Sequence, residues 1–436
     1  MRRGRALIAT LASLALLAAA CGGDDEAGAP DGGDQAGELA GVEVEVAAVW
    51  TGTEAERFGA VLDAFEEETG AEVTFTSTGD DIAANLGPRL SAGDPPDVAV
   101  LPQPGLLRDY AAQGALQPID DVAGDEVDQN FAPVWRELGT VEGDLYGVWF
   151  KAANKSLVWY NTGVFEDAGL EPAEDLDGFL DVARTATDFG VPALSVGGGD
   201  GWTLTDWFEN VYLRVAGPET YDQLADHEIP WTDQSVKDAL EVLGRIFDPS
   251  LIAGGPRGAL QTDFDTSVTQ VFTDPPRAAM VFEADFVAGT ITGETDAELG
   301  TDAGVFPFPE IEGSGPAVVG GGDVAVLFRD SEGGRALVEF LATPDAARAW
   351  AELGGFISPN ESLEPDAYPD QTLRDIAQAL LEASDSFRFD LSDLQPGGFG
   401  QQGGAMFTAL QDFLSDTSQV DAVAQQLEDG ATRAFG

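Results

Sequence analysis

The sequence predicts an α/β fold arranged in two lobes. Three observations carry this. Through the first third of the chain, apolar residues switch between period two and helical spacing. Gly and Pro punctuate each switch. Residues 42–436 are also too many for one ordinary core.

In chain order, Met1–Arg5 carries three arginines, Ala6–Ala20 is apolar, and Cys21 follows as the only cysteine. A charged start, a short apolar core and small residues describe a secretory leader over 1–20. That run is too short to span a bilayer, which takes roughly 20 apolar residues. Leu17-Ala18-Ala19-Ala20-Cys21 resembles a bacterial lipobox with its Leu displaced by one position. Cys21 is then the lipidated residue, anchored through several acyl chains. A leader cut elsewhere would leave it an incidental thiol. Residues 21–41 are Gly, Asp, Ala and Glu with little that is apolar, so they read as a flexible acidic tether.

Val42–Val46 alternates with period two and predicts a strand. Thr53 and Glu56 fit a capping box. Phe58, Val61, Leu62 and Phe65 follow at helical spacing, and Gly70 stops the helix. Val73 and Phe75 mark a second strand and Asp97–Leu101 a third, giving strand–helix–strand–helix–strand and a parallel sheet. Ligands of open α/β sheets bind beyond the carboxyl ends of the strands. That rule points to Trp50-Thr51-Gly52-Thr53, to Gly79-Asp80-Asp81 (Asp80 and Asp81 otherwise a solvated turn) and to Pro102-Gln103-Pro104. Further on, helices are expected over Pro172–Phe189, Leu204–Val215, Leu373–Leu381, Ala405–Leu414 and Val420–Leu427. Thr343-Pro344-Asp345 caps one more, ending at Gly354. Strands are expected at Leu194–Val196, Ala278–Glu283 and Val318–Phe328. The loop Gln395–Gly404 is rich in Gly and Gln and reaches toward the cleft.

Composition excludes much. With 78 acidic residues against 21 basic, the net charge is −57. Such a surface repels nucleic acid and anionic lipid. The one histidine, His227, lies in a polar stretch and reads as a surface residue. No Gly-x-Ser-x-Gly elbow accompanies it, and a Cys-His nucleophile or a zinc site with several His or Cys ligands has no residues to use. Gly197–Gly201 is not a phosphate loop, because no Gly-Lys-Ser/Thr follows.

The chain is organised around Gly143–Asn161, an apolar and aromatic stretch that holds two of the three lysines, Lys151 and Lys155. A lysine can lay its stem along apolar surface and pair with a carboxylate. The sharper reading is a crossing between two lobes beside a ligand cleft. This stretch, with its Tyr146-Gly147-Val148 turn and Leu157-Val158-Trp159-Tyr160-Asn161, resembles the first crossover of the extracellular solute-binding proteins of carbohydrate ABC importers. Asn154–Tyr160 is most similar to the α-glucoside-binding members. The resemblance continues through Pro96–Leu101, Arg277–Phe282 and Gly320–Val326, and ends in Gly354–Asn360.

That resemblance implies a type II periplasmic-binding-protein-like fold with parallel-dominated sheets and a hinged cleft. The expected lobes are 42–151 plus 303–356 and 152–302 plus 357–436. It also implies a monomeric lipoprotein on the outer face of the cell membrane. Such a protein has no cofactor, metal or catalytic residue, and it passes a carbohydrate to the transmembrane subunits of a permease. A sugar needs flat rings for its C–H faces and planar polar groups for its hydroxyls. The candidates are Trp149, Trp202, Trp207 and Phe286 for stacking. Thr51, Gln103, Lys151, Asp200, Asp206, Glu283, Asp285, Asp323 and Gln401 are the candidates for hydrogen bonding. Trp149 suits the core equally well, Asp323 follows three glycines that also serve close backbone approach, and Trp159 reads as core. Two other readings compete: the same fold binding a polyamine through carboxylates and aromatics, against which Lys151 argues, and a secreted glycosidase using two carboxylates.

Overall fold

Strand alternation and glycine stops produce two large sheets and one two-stranded sheet. The computed structural model describes residues 37–79, 81–383, 387–401 and 403–436. The expected leader, Cys21, most of the tether and Asp80 lie outside them. The strands are β1 Glu43–Ala48, β2 Glu72–Ser77, β3 Val98–Leu101, β4 Thr140–Val141, β5 Asp144–Leu145, β6 Gly147–Asn154, β7 Leu157–Asn161, β8 Leu194–Ser195, β9 Met280–Glu283, β10 Ala303–Pro307, β11 Val318–Leu327 and β12 Phe387–Phe389. The first sheet runs β12-β11-β3-β1-β2, with β6 also paired to β11. The second runs β10-β7-β9-β8.

The parallel arrangement expected from the strand–helix alternation is present in β1, β2 and β3. Elsewhere the sheets are mixed. β11 is antiparallel to both β3 and β6, and β7 is antiparallel to β9 and β10. β6 passes to β7 through Lys155 and Ser156 alone. Those two residues carry the chain from one sheet to the other. β10 belongs to the second sheet and β12 to the first.

Helix starts follow local hydrogen bonding. The helix Gly52–Thr69 is capped by Thr51, without a side-chain cap bond, and ends at Gly70 with φ 77°. The capping box expected at Thr53 and Glu56 does not form, because Thr53 already lies in the first turn. The helix expected from Pro172 begins at Leu176, where Asp175 accepts the Gly178 N–H. Thr343 does cap Pro344–Ala351, accepting from Ala346 N. His227 is half-buried, with φ 52° and its Nε2 3.3 Å from the Glu428 carboxylate.

Two hydrophobic cores result. One contains Val46, Phe58, Phe65 and Trp350; the other contains Phe208, Leu240 and Leu410. The second sheet lies between them. On β7, Leu157 and Trp159 face the first core and Val158 the second; on β9, Val281 faces the first and Met280 and Phe282 the second. A strand buried on both faces reads as a continuous apolar run. Both cores belong to one compact unit, Gly37–Gly436.

Candidate ligand-binding site

The ends of β1 and β3 and the start of the helix Ile82–Ala92 bring Thr51, Glu54, Asp81 and Gln103 to one side of a cavity of about 350 Å³. Small-molecule sites span roughly 300–1,000 Å³. The other side is supplied by Asp200, Trp202, Asp263, Phe264, Asp265, Phe286, Thr290, Glu294, Asp393, Gln401 and Phe407. Lys151, Lys155, Gly322 and Asp323 form its floor. Trp202 starts the helix Trp202–Ala216 behind Gly201, whose φ of 87° suits glycine. Its ring lies 5.3 Å from Phe264 and 6.1 Å from Phe286, and those two are 5.3 Å apart. Three tilted rings thus make one apolar wall. Gln103 reaches across the cavity, its Nε2 donating to the Gly400 carbonyl at 3.1 Å. The Asp200 carboxylate accepts from Phe264 N at 2.6 Å.

Each floor lysine is held by carboxylates. Lys151 pairs with Glu54, and Lys155 pairs with Asp390 and, at 3.3 Å, with Asp206. Burial alone would lower both ammonium pKa values. Glu54 and Asp323 outweigh it for Lys151, and Asp206, Asp390 and Asp393 outweigh it for Lys155, so both stay charged. The carboxyls respond in the opposite sense. Burial pushes Asp323 up to about 6 against the pull of Lys151, and Asp285 up to about 7. It raises Glu283 to about 8 against Lys155, and Asp265 to about 6 with help from Glu294. Oxygens of Asp206, Glu209 and Asp390 all lie within 4.8 Å of one another. Lys155 supplies that cluster with a cation.

A cavity with an aromatic wall between two sheets fits several families, and comparison with known proteins decides among them. Residues 51–348 match the family model of the bacterial extracellular solute-binding proteins. The chain belongs to that family. It is 34% identical to the osmoprotective compounds-binding protein GgtB of Synechocystis, over 87% of this chain and 90% of that one. It is also 34% identical to the α-glucosides-binding periplasmic protein AglE of Rhizobium meliloti, over 89% and 86%. Among solved structures, a bacterial solute receptor, AcbH, with an exclusive preference for β-D-galactopyranose, superposes with a TM-score of 0.79 at 21% identity, covering 90% of this chain and 99% of that one. The fold is the type II one of periplasmic sugar-binding proteins.

Of the residues expected to contact ligand in this solute-binding protein, eight line the cavity: Thr51, Gln103, Lys151, Asp200, Trp202, Phe286, Asp323 and Gln401. Trp149, Asp206, Trp207, Glu283 and Asp285 do not. Trp149 turns away because β6 carries a bulge. Lys151 opposes Asp323 and Trp149 opposes Val324, so Phe150 is the extra residue. Phe150 and Lys151 consequently share the face toward Trp50 and Trp350. Trp149 packs on the other face, against Trp135 and Phe389. Trp207 falls about 140° around its helix from Trp202 and packs into the second core, 4.3 Å from Phe282. Asp206 is one turn deeper than Trp202 and fully buried at Lys155. Glu283 is buried beside Asp206. Asp285 is buried and accepts the Asn154 N–H at 2.6 Å, bracing the crossing.

Sequence reasoning missed Glu54, Asp265, Phe264, Thr290, Glu294 and Phe407 as lining residues. Asp263-Phe264-Asp265 carried a usable signal, an aromatic between two acids at a helix start. Phe407 carried none, since it sits in an ordinary amphipathic helix, Ala405–Ser415.

Proposed function

We propose that this protein captures a neutral carbohydrate of the α-glucoside type by closure of two lobes and passes it intact to the membrane permease of an ABC importer. The observation that carries the reading is one cavity lined both by the rings of Trp202, Phe264 and Phe286 and by the polar side chains Thr51, Gln103 and Gln401. Stacking rings together with hydroxyl partners are the chemistry a sugar requires. The relatives named for α-glucosides and for osmoprotective compounds support the class. The lobes follow the two sheets and their cores, and hinge closure between such lobes traps a ligand. The protein works outside the cytoplasm as a monomer, held to the membrane by acyl chains on Cys21. Among the described residues no helix is long and apolar enough to cross a membrane.

A thermal-shift screen of mono- and oligosaccharides tests the ligand class. A binding sugar raises the melting temperature and is recovered unchanged. A screen in which no sugar shifts the transition overturns the reading, as does turnover of a bound glycoside. Palmitate-analogue labelling that persists in Cys21→Ala overturns the anchor. The acidic lining, with Glu54, Asp263, Asp265 and Glu294, favours a cationic ligand as the second reading; spermidine belongs in the same screen.

A further inference from the structure

The floor of the cavity contains a complete cation-recognition cage. The Lys151 ammonium lies 5.8 Å from the centroid of Trp50, 5.2 Å from that of Phe286 and 5.3 Å from that of Trp350. Rings at these distances attract an ammonium through their faces. Glu54 pairs with it directly, and Asp323 and Asp285 add negative charge around it. Asp285 is fully buried, and its Oδ2 has no hydrogen-bond partner. Three rings and three carboxylates are the means by which a binding site grips a ligand cation, and here the cation is part of the chain. Lys155 differs: a single ring, Trp202, lies near its ammonium, and carboxylates fix it from below.

We infer that Lys151 is a specificity-determining residue that closes the cavity to cationic ligands, because its own ammonium fills the cage in which a ligand's ammonium would sit. The inference rests on the carbohydrate reading and narrows its ligand to neutral polyols. An anion gains little from Lys151 or Lys155, since carboxylates already neutralise both. A free ammonium entering the cavity would meet Lys151 as a like charge and find Trp50, Phe286 and Trp350 taken, with Asp263, Asp265 and Glu294 left to attract it outside the cage. Without the Lys151 ammonium, Glu54 loses its ion-pair partner and the rings of Trp50, Phe286 and Trp350 lose their cation, and an alkylammonium of matching length restores both contacts.

The experiment uses the wild type, Lys151→Ala and Lys151→Met, titrated with n-butylammonium, methylammonium, n-butanol and spermidine by thermal shift and calorimetry. A neutral sugar found in the screen serves as competitor. The wild type is expected to ignore all three amines. Lys151→Ala is expected to bind n-butylammonium roughly tenfold or more tighter than the wild type does, and not to bind n-butanol. Lys151→Met keeps the packing of the stem and vacates only the ammonium position, so it is expected to be stabilised by methylammonium even if the alanine variant does not fold. Wild-type protein that binds spermidine in competition with a sugar overturns the inference. So do a folded Lys151→Ala that ignores n-butylammonium or responds equally to n-butanol, and a folded Lys151→Met that ignores methylammonium. Failure of the carbohydrate reading has its own signature, a wild type that responds to neither sugars nor amines.

Discussion

Trp202 and Trp207 share one helix and differ in what their removal should do. Trp202 is half-buried on the cavity wall, whereas Trp207 is enclosed by Phe247, Phe282 and Phe308. Trp202→Ala should raise the dissociation constant for sugar at least tenfold, about 1.4 kcal/mol, with an unchanged melting temperature; calorimetry showing unaltered affinity takes the ring out of the site. Trp207→Ala should instead lower stability by about 3–5 kcal/mol, seen as a lower denaturant midpoint. Lys155→Met belongs with Trp207. It strands the buried Asp206 and Asp390 without a cation, which should destabilise the fold by about 3–5 kcal/mol. Thr51 and Gln103 were legible as cavity residues because they follow strand ends, and Trp202 because it follows a glycine-rich turn. Asp206, Glu283 and Asp285 were not, because nothing in a one-dimensional pattern says how deep a carboxylate sits. A polar residue at the end of a strand looks solvated until its lysine partner is seen.

At the scale of elements, the pairing of β6 with β11 decides which side chains reach the ligand. The bulge at Phe150 separates Trp149 from Lys151, and the glycines of β11 make room for what lies against them. A Cβ on Gly322 would stand 2.5 Å from the Lys151 carbonyl oxygen and 3.1 Å from the Trp149 ring. Gly322→Ala should therefore cost about 1–3 kcal/mol and weaken sugar binding by displacing Lys151. Gly59→Ala makes the matched control. Gly59 sits inside the helix Gly52–Thr69 with open space around its Cβ position, so that variant should gain about 0.5–1 kcal/mol and leave binding alone. Equal behaviour of the two variants in a denaturant titration would contradict close approach at Gly322. Most helices and strands were legible from periodicity and glycine stops, since burial of one face imposes those patterns. The bulge was not, because a run of eight buried residues over Gly147–Asn154 hides the alternation that a slip would break. Helix starts shifted for a similar reason: Thr51 and Thr53 offer the same cap, and only the entry angle of the chain selects between them.

On the scale of the whole molecule, charge and burial act together on pH. The net charge of −57 works against compaction through self-repulsion. Added salt screens it, so the melting temperature should climb as ionic strength rises from low values. The acidity was plain from composition; that several acids sit inside the fold was not, because their number on the surface conceals them. Those internal groups set the sign of the pH dependence. Glu283 at about 8, Asp285 at about 7, and Asp323 and Asp265 at about 6 are all raised by burial above the ordinary carboxylate range. The folded state therefore holds protons that the unfolded chain has already released. Linkage makes stability fall with rising pH wherever the native state binds more protons. The contribution is full below the unfolded carboxylate values near 4 and is lost by degrees as pH passes 6, 7 and 8. Deprotonation at higher pH also adds charge to a chain that is already strongly anionic. The melting temperature should consequently be higher at pH 5.5 than at pH 8.5, at fixed ionic strength. Glu283→Gln, which keeps the neutral form, should flatten the upper part of that decline. A melting temperature that rises across this interval, or a Glu283→Gln profile parallel to the wild type, would show that Glu283 is ionised within the native fold.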